Sequence, residues 1–153
     1  MARYYEDLEV GSVTQSDLTY LVTAEEIMEV GRRWDPQPFH TDPELAKDSV
    51  FGGLVAATVH LLGMLTSLGV KGDPTAAVSA LGMTDFINHS PARPGDELHC
   101  HNVVTSRRLS NSRPGLGVVS FRNQLINQRD ELVFSYEATA LIRCRDADDA
   151  GAV

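Results

Sequence analysis

The chain has 153 residues, 42% hydrophobic and 22% charged, enough for one domain with a substantial core and short for two. Its formal net charge of −8 argues against general nucleic-acid binding, which draws on clustered Lys and Arg, and no RNP-type or zinc-finger pattern occurs. Cys100 and Cys144 form no CxxC pair and the N-terminus lacks an apolar signal core, so a cytoplasmic setting and a small-molecule partner are expected.

Residues 4–11 read as a lead-in loop, and 13–22 hold enough β-branched and aromatic residues for a first strand. Thr23-Ala24-Glu25-Glu26 has the form of a capping box and starts a helix. Ile27, Val30 and Trp34 recur on one face of that helix, and Pro36 ends it.

The next stretch, Trp34-Asp35-Pro36-Gln37-Pro38-Phe39-His40-Thr41-Asp42-Pro43, organises the rest of the reading. Pro36 and Pro38 each lack an N–H and disfavour αR in the residue before, so the segment is expected to be non-helical. It would hold a carboxylate and an imidazole rigidly, five residues apart. Thr41 and Asp42 are expected to cap the short segment that follows.

Residues 49–70 contain no Lys, Arg, Asp or Glu, a length that passes a crude transmembrane filter. Gly, Ala, Ser and Thr dilute the hydrophobicity and His60 lies near the middle, so a buried central helix is expected instead. It would run over 53–68, about 24 Å. Apolar residues all round it predict that it is wrapped on most sides.

Strands are expected at 76–87, 97–105, 118–126 and 132–142, separated by turns at Gly72-Asp73-Pro74, Pro91 to Asp96, Arg113-Pro114-Gly115 and 127–130. In the last strand Phe134, Tyr136, Ala138, Ala140 and Ile142 alternate with Ser135, Glu137 and Thr139. The order predicts one α+β domain over 1–143, an antiparallel sheet around the apolar helix. Residues 144–153 read as a disordered acidic tail.

At Asp35-Pro-Gln-Pro-Phe-His40, Thr41-Asp-Pro43, Phe51-Gly-Gly53 and Arg93-Pro-Gly-Asp96 the chain resembles the MaoC-like dehydratases, which include the R-specific enoyl-CoA hydratases. The similarity continues through Ser110-Asn-Ser-Arg-Pro114 to the last strand. The resemblance implies a hot-dog fold and reversible syn addition of water to a 2-enoyl thioester of coenzyme A or an acyl-carrier protein. No metal or redox cofactor is implied. Asp35 would take a proton from the attacking water and His40 would protonate C2. Backbone N–H groups at the start of the central helix would hold the carbonyl oxygen. Gln37 stands where the family motif has Asn, and Thr58 stands where the family has a helix-start glycine. Gly53, Phe39 and His60 complete the expected substrate-binding set. A homodimer with sheets edge to edge is also implied, and suits a single-domain length with an exposed edge.

The residues themselves suit the chemistry, because hydration needs a base for water and an acid for carbon near one site. Without the family context, Asp35 capping a turn and His40 bonding backbone would be the alternative. His60 either lines the pocket or is a satisfied core histidine. His99 and His101 share a strand face and lack a third ligand in the sequence pattern, so a solvated face is expected rather than a metal site. His89 is uninformative. Arg93, Arg107, Arg108, Arg113 and Lys71 are candidates for a phosphate rim, with ordinary solvated cations as the alternative. Trp34, Phe39, Phe51 and Phe86 are expected to set the depth of the pocket. Two other functions remain open: a hot-dog thioesterase using Asp35, and a module that binds acyl thioesters without turnover.

Overall fold

In the computed structural model, which describes residues 1–146, two short strands lead in, β1 (Val13–Gln15) and β2 (Tyr20–Leu21). Four helices follow: α1 (Ala24–Trp34), α2 (Pro38–Thr41), α3 (Pro43–Lys47) and α4 (Thr58–Gly72). The chain then runs through β3 (Ala77–Asn88), β4 (Glu97–Leu109), β5 (Leu116–Asn127) and β6 (Leu132–Arg143). The pairings between these strands are antiparallel, in the order β1-β4-β5-β6-β3, with β2 also on β4. This is the expected α+β hot-dog architecture. The main core lies between the sheet and α4, where Leu61, Met64, Leu65 and Leu68 meet Leu98, Cys100, Leu125 and Phe134.

Period-two alternation explains which sheet face is inside. Phe134 and Tyr136 point into that core while Ser135 and Glu137 point away, as the pleat requires. The single first strand expected over 13–22 is broken in two. Ser16 Oγ accepts from the Leu18 N–H at 3.0 Å, a local bond that competes with the strand ladder.

Helix α1 differs from its expected face. Ile27 and Gly31 are buried, with Ala24 and Met28 against the core, but Trp34 is 63% exposed. Position 34 shares the angular phase of Ile27, yet its side chain is left in solvent. The Arg33 guanidinium covers the indole instead, 5.2 Å from its centroid. Half of the capping box forms, with Thr23 Oγ1 accepting from the Glu26 N–H at 3.2 Å. The Glu26 carboxylate does not return to Thr23, because Tyr20 Oη donates to it at 2.6 Å.

Helix α4 begins at Thr58 rather than 53, because the backbone before it is used elsewhere. The Val55 N–H donates to Phe39 O at 3.1 Å and the Ala56 N–H to Ala92 O at 3.0 Å. Its 15 residues span roughly 22 Å, and among the described residues no helix is long and apolar enough to cross a membrane. The expected all-round wrapping is not met within one chain. Val59, Gly63, Thr66 and Val70 form an exposed stripe on the side away from the sheet. Strand β3 is open in the same way: among the described residues it pairs with β6 alone, and every residue along it is exposed.

Near the end of the described chain the Cys144 N–H donates to Gly115 O at 2.9 Å, and Arg145 pairs with Asp7 at 2.5 Å. The rest of the segment expected to be disordered, 147–153, lies outside the described residues.

Candidate active site

Asp35 is the residue at which α1 stops. Its N–H still donates to Gly31 O at 2.9 Å, but φ −150° and ψ 77° take the backbone out of the helix, as suits a residue before proline. The two prolines do not keep the next segment extended throughout. Gln37 is extended and Pro38 takes the first position of the one-turn helix α2, where a missing N–H costs nothing and a fixed φ helps. His40 is carried on that turn. Asp42 ends it and caps α3, accepting from the Glu44 and Leu45 N–H groups at 2.9 and 3.1 Å, as expected for this residue. Thr41 instead bonds back to Gln37 O at 3.0 Å.

His40 is 6% exposed. Its Nδ1 lies 2.6 Å from Val55 O, and a carbonyl can only accept, so Nδ1 carries a proton. Nε2 is then the ring atom that faces Asp35 Oδ2, at 3.4 Å. The other carboxylate oxygen, Oδ1, accepts from Gln37 Nε2 at 3.2 Å. The carboxamide at position 37 therefore orients the carboxylate despite its longer stem. The Asp35 side chain remains one-third exposed, so water reaches it while His40 stays enclosed.

Both groups open onto a pocket of about 330 Å³. Phe39 and Phe51 form one wall in an edge-to-face contact with centroids 5.2 Å apart. Thr58, the first residue of α4, lies on another wall. The first N–H groups of a helix have no intrahelical acceptor, and the macrodipole adds positive potential there. The Thr58 side chain is turned aside, its Oγ1 accepting from Asn88 Nδ2 at 2.8 Å.

The structure thus brings Asp35, Gln37, Phe39, His40, Phe51 and Thr58 to one pocket and leaves Gly53 and His60 outside its lining. Gly53 sits in the turn below Arg93, whose Nη1 lies 3.8 Å from where a Cβ would be. His60 is buried between α4 and α1, with Nε2 3.4 Å from Glu26 Oε2 and, among the described residues, no hydrogen bond at either nitrogen. Trp34 and Phe86 also lie outside the pocket lining; Phe86 stacks on Tyr136 at 5.5 Å. The basic rim does not assemble. Arg107 donates to Tyr5 O and Leu8 O, Arg108 to Leu109 O, Arg113 lies in the turn before β5 and Lys71 at the far end of α4. The His99 and His101 rings lie with centroids 5.3 Å apart and planes tilted by 54°, and among the described residues no group of three or more metal-ligating side chains occurs.

Arg93-Pro94-Gly95-Asp96 is a supporting turn. Gly95 has φ +90°, which favours glycine, and buried Asp96 accepts from the Arg93 N–H, Gln128 and Arg129. Burial opposes ionisation of Asp96, but those bonds outweigh it and hold the carboxyl below its ordinary range.

A family model described as MaoC like domain matches residues 9–122. The chain belongs to that family. Among solved structures, this MaoC-like chain is similar to a MaoC-like dehydratase from Rhodospirillum rubrum, 35% identical, with a TM-score of 0.86 over 93% of this chain and 97% of that one. An R-hydratase from Pseudomonas aeruginosa, 20% identical, shares the fold at a TM-score of 0.76, over 93% of this chain and 86% of that one. The uncharacterized protein YdeM of Bacillus subtilis (strain 168) is 29% identical over 126 residues, 80% of this chain and 86% of that protein.

Several contributors escaped the sequence reading. A Cβ on Gly31 would lie 2.5 Å from His40 O and 2.8 Å from His40 Cβ, so only glycine lets α1 and α2 approach this closely. A glycine inside a helical pattern was the available signal. Val55 acts through its carbonyl, and Asn88, His89 and Ser90 reach the pocket from the end of β3, none with a local signature.

Gly31→Ala is expected to push α2 away and cost about 1–3 kcal/mol in denaturant unfolding, as overpacking does. His60 supplies a pH signature. Burial holds its pKa below the ordinary value, against an upward pull from Glu26. The unfolded chain then binds the proton first as pH falls, so this stabilisation is complete above about pH 6.5 and is lost below it. The melting temperature of the wild type should fall more steeply below that pH than that of His60→Gln; parallel curves would remove His60 as the cause.

Proposed function

We propose that the chain is an enoyl-thioester hydratase/dehydratase, with Asp35 and His40 as its proton-transfer pair. The observation that carries this reading is the 3.4 Å approach of Asp35 Oδ2 and His40 Nε2 on the wall of a pocket that the start of α4 also reaches. In the hydration direction the Asp35 carboxylate removes a proton from water as its oxygen bonds to C3. The π electrons move through C2 to the thioester oxygen, which the free N–H groups at Thr58 and Val59 receive. The enolate then collapses and C2 takes the Nε2 proton of a His40 imidazolium, whose other proton stays on Nδ1, donated to Val55 O. Asp35 now holds a proton and His40 has lost one, and the short path between them restores the starting state. Both groups act from one wall, which yields syn addition. The substrate carrier is coenzyme A or an acyl-carrier protein, and the residues themselves perform every step without a cofactor.

The working unit of this reading is a homodimer. Val78, Leu81, Met83, Phe86 and Ile87 are 42–54% exposed on edge strand β3, and the open stripe of α4 lies within the same chain. An unpaired apolar edge is a template for strand pairing, and a second copy related by a two-fold axis satisfies it isologously.

With a panel of trans-2-enoyl-CoA substrates, loss of the conjugated-thioester absorbance is expected in the wild type. Asp35→Asn and His40→Gln should each lower turnover by about 10²–10⁴-fold, with unchanged circular dichroism. Release of free thiol instead would favour the thioesterase, and tight binding without turnover the non-catalytic module. Sedimentation should give a dimer for the wild type and a monomer for the double variant Val78→Lys, Leu81→Lys; a monomeric wild type would refute the assembly.

A further inference from the structure

Thr58 and Asn88 lie 30 residues apart in the chain and meet on the wall of the catalytic pocket, where Asn88 Nδ2 donates to Thr58 Oγ1 at 2.8 Å. Asn88 is the last residue of β3 and the register partner of Phe134. The two residues after it are also tied to the sheet, the His89 N–H donating to Val133 O at 2.8 Å and the Ser90 N–H to the same oxygen at 3.3 Å. The carboxamide is therefore presented from a pinned backbone, and it holds the Thr58 side chain from outside the helix.

A hydroxyl that accepts one hydrogen bond still has its own proton to give. A threonine in a helix can direct that proton to a carbonyl one turn earlier, as Thr41 does by donating to Gln37 O at 3.0 Å. Thr58 has no such turn beneath it. It is the first residue of α4, it follows an extended Ala57, and the helical ladder starts only at Ala57 O, which receives the His60 and Leu61 N–H groups at 2.9 and 3.0 Å. Among the described residues no acceptor takes the Thr58 hydroxyl proton. With Asn88 on one side of Oγ1, that proton is left to the pocket.

The N–H and the hydroxyl of one residue are joined through Cα and Cβ alone, so both can reach a single oxygen. Ala57 offers no side-chain oxygen at the N-cap, and nothing local competes for these donors.

We infer that the Thr58 hydroxyl is a further hydrogen-bond donor to the thioester carbonyl oxygen, with Asn88 as the positioning residue that orients and polarises it. The inference rests on the acyl-thioester reading of this pocket and goes beyond it, since that reading uses only backbone N–H groups at the helix start. No proton is transferred. The hydrogen stays on Oγ1, and its bond to the substrate oxygen strengthens as negative charge builds there, which favours the transition state over the ground state. The bond accepted from Asn88 polarises the O–H that is given onward. A β-branched residue at this place is then an added donor rather than an obstruction.

Replacements at position 58 separate the hydroxyl from its surroundings. Thr58→Val keeps the shape and the backbone N–H and deletes the O–H; on trans-2-enoyl-CoA substrates its kcat should fall by about 10²-fold with KM changed far less and circular dichroism unaltered. Thr58→Ser should recover most of that loss, and Thr58→Gly, which opens the pocket, should behave as Thr58→Val does. Asn88→Ala should lower kcat less, and add nothing in the Thr58→Val background, as a residue acting through another requires. A readout that needs no turnover is the absorbance of 2,4-hexadienoyl-CoA bound to Asp35→Asn. Hydrogen bonds to the carbonyl oxygen move the conjugated band to longer wavelength, and adding Thr58→Val should shrink that shift. A shrunken shift without turnover of any enoyl-CoA would sustain the donor while defeating the hydratase reading. Turnover that Thr58→Val leaves intact or Thr58→Gly raises, or a shift that Thr58→Val leaves unmoved, would overturn the donor and leave the hydratase standing; no binding of the thioester would overturn both.

Discussion

The site depends on how closely α1 and α2 cross. Gly31 lets the backbone and Cβ of His40 lie where a side chain would otherwise stand. That contact buries the imidazole and brings it within reach of Asp35, which belongs to the end of α1 itself. Val55 then closes the arrangement from the other side. Its N–H donates to Phe39 O and its carbonyl receives His40 Nδ1, so one residue clamps α2 at two points. A carboxylate and an imidazole on a free loop would lose most of their mutual orientation to side-chain and backbone entropy; here the crossing and the clamp remove that freedom in advance.

The same economy explains the start of α4. Residues 54–57 stay extended because their polar groups hold α2 and the turn at Ala92, so helical bonding begins only at Thr58. Its first residue, Thr58, consequently lines the pocket. The central helix thus has two roles, covering the sheet with Leu61, Met64, Leu65 and Leu68 and offering its positive end to the site. Its unburied stripe and the unpaired edge of β3 are the counterpart of a fold whose sheet is too narrow to enclose the helix alone.

Local chemistry made several elements readable in advance. The four long strands follow from alternation and from turns rich in Gly, Pro and Asn, and their observed bounds extend the expected ones at one or both ends. Pro36 ended α1, Asp42 capped α3, and the Asp35–His40 spacing marked the site. The misreadings concern exposure and contacts that periodicity and capping patterns do not record. Trp34 has the phase of a core residue but is exposed, Glu26 left its cap for Tyr20 and lies beside His60, and Pro38 began a helical turn where an extended segment was expected.

The sequence alone determined the family, the α+β order of elements and the identity of the acid–base pair to be tested, because periodicity, turn chemistry and a short motif are all local properties. Only the tertiary structure decided which of the remaining candidates stand together. It joined Gln37 and Thr58 to the site, turned His60 toward Glu26, scattered the arginines and set Asn88 against Thr58. Strand register and helix crossing bring together positions tens of residues apart, and no local pattern carries that information.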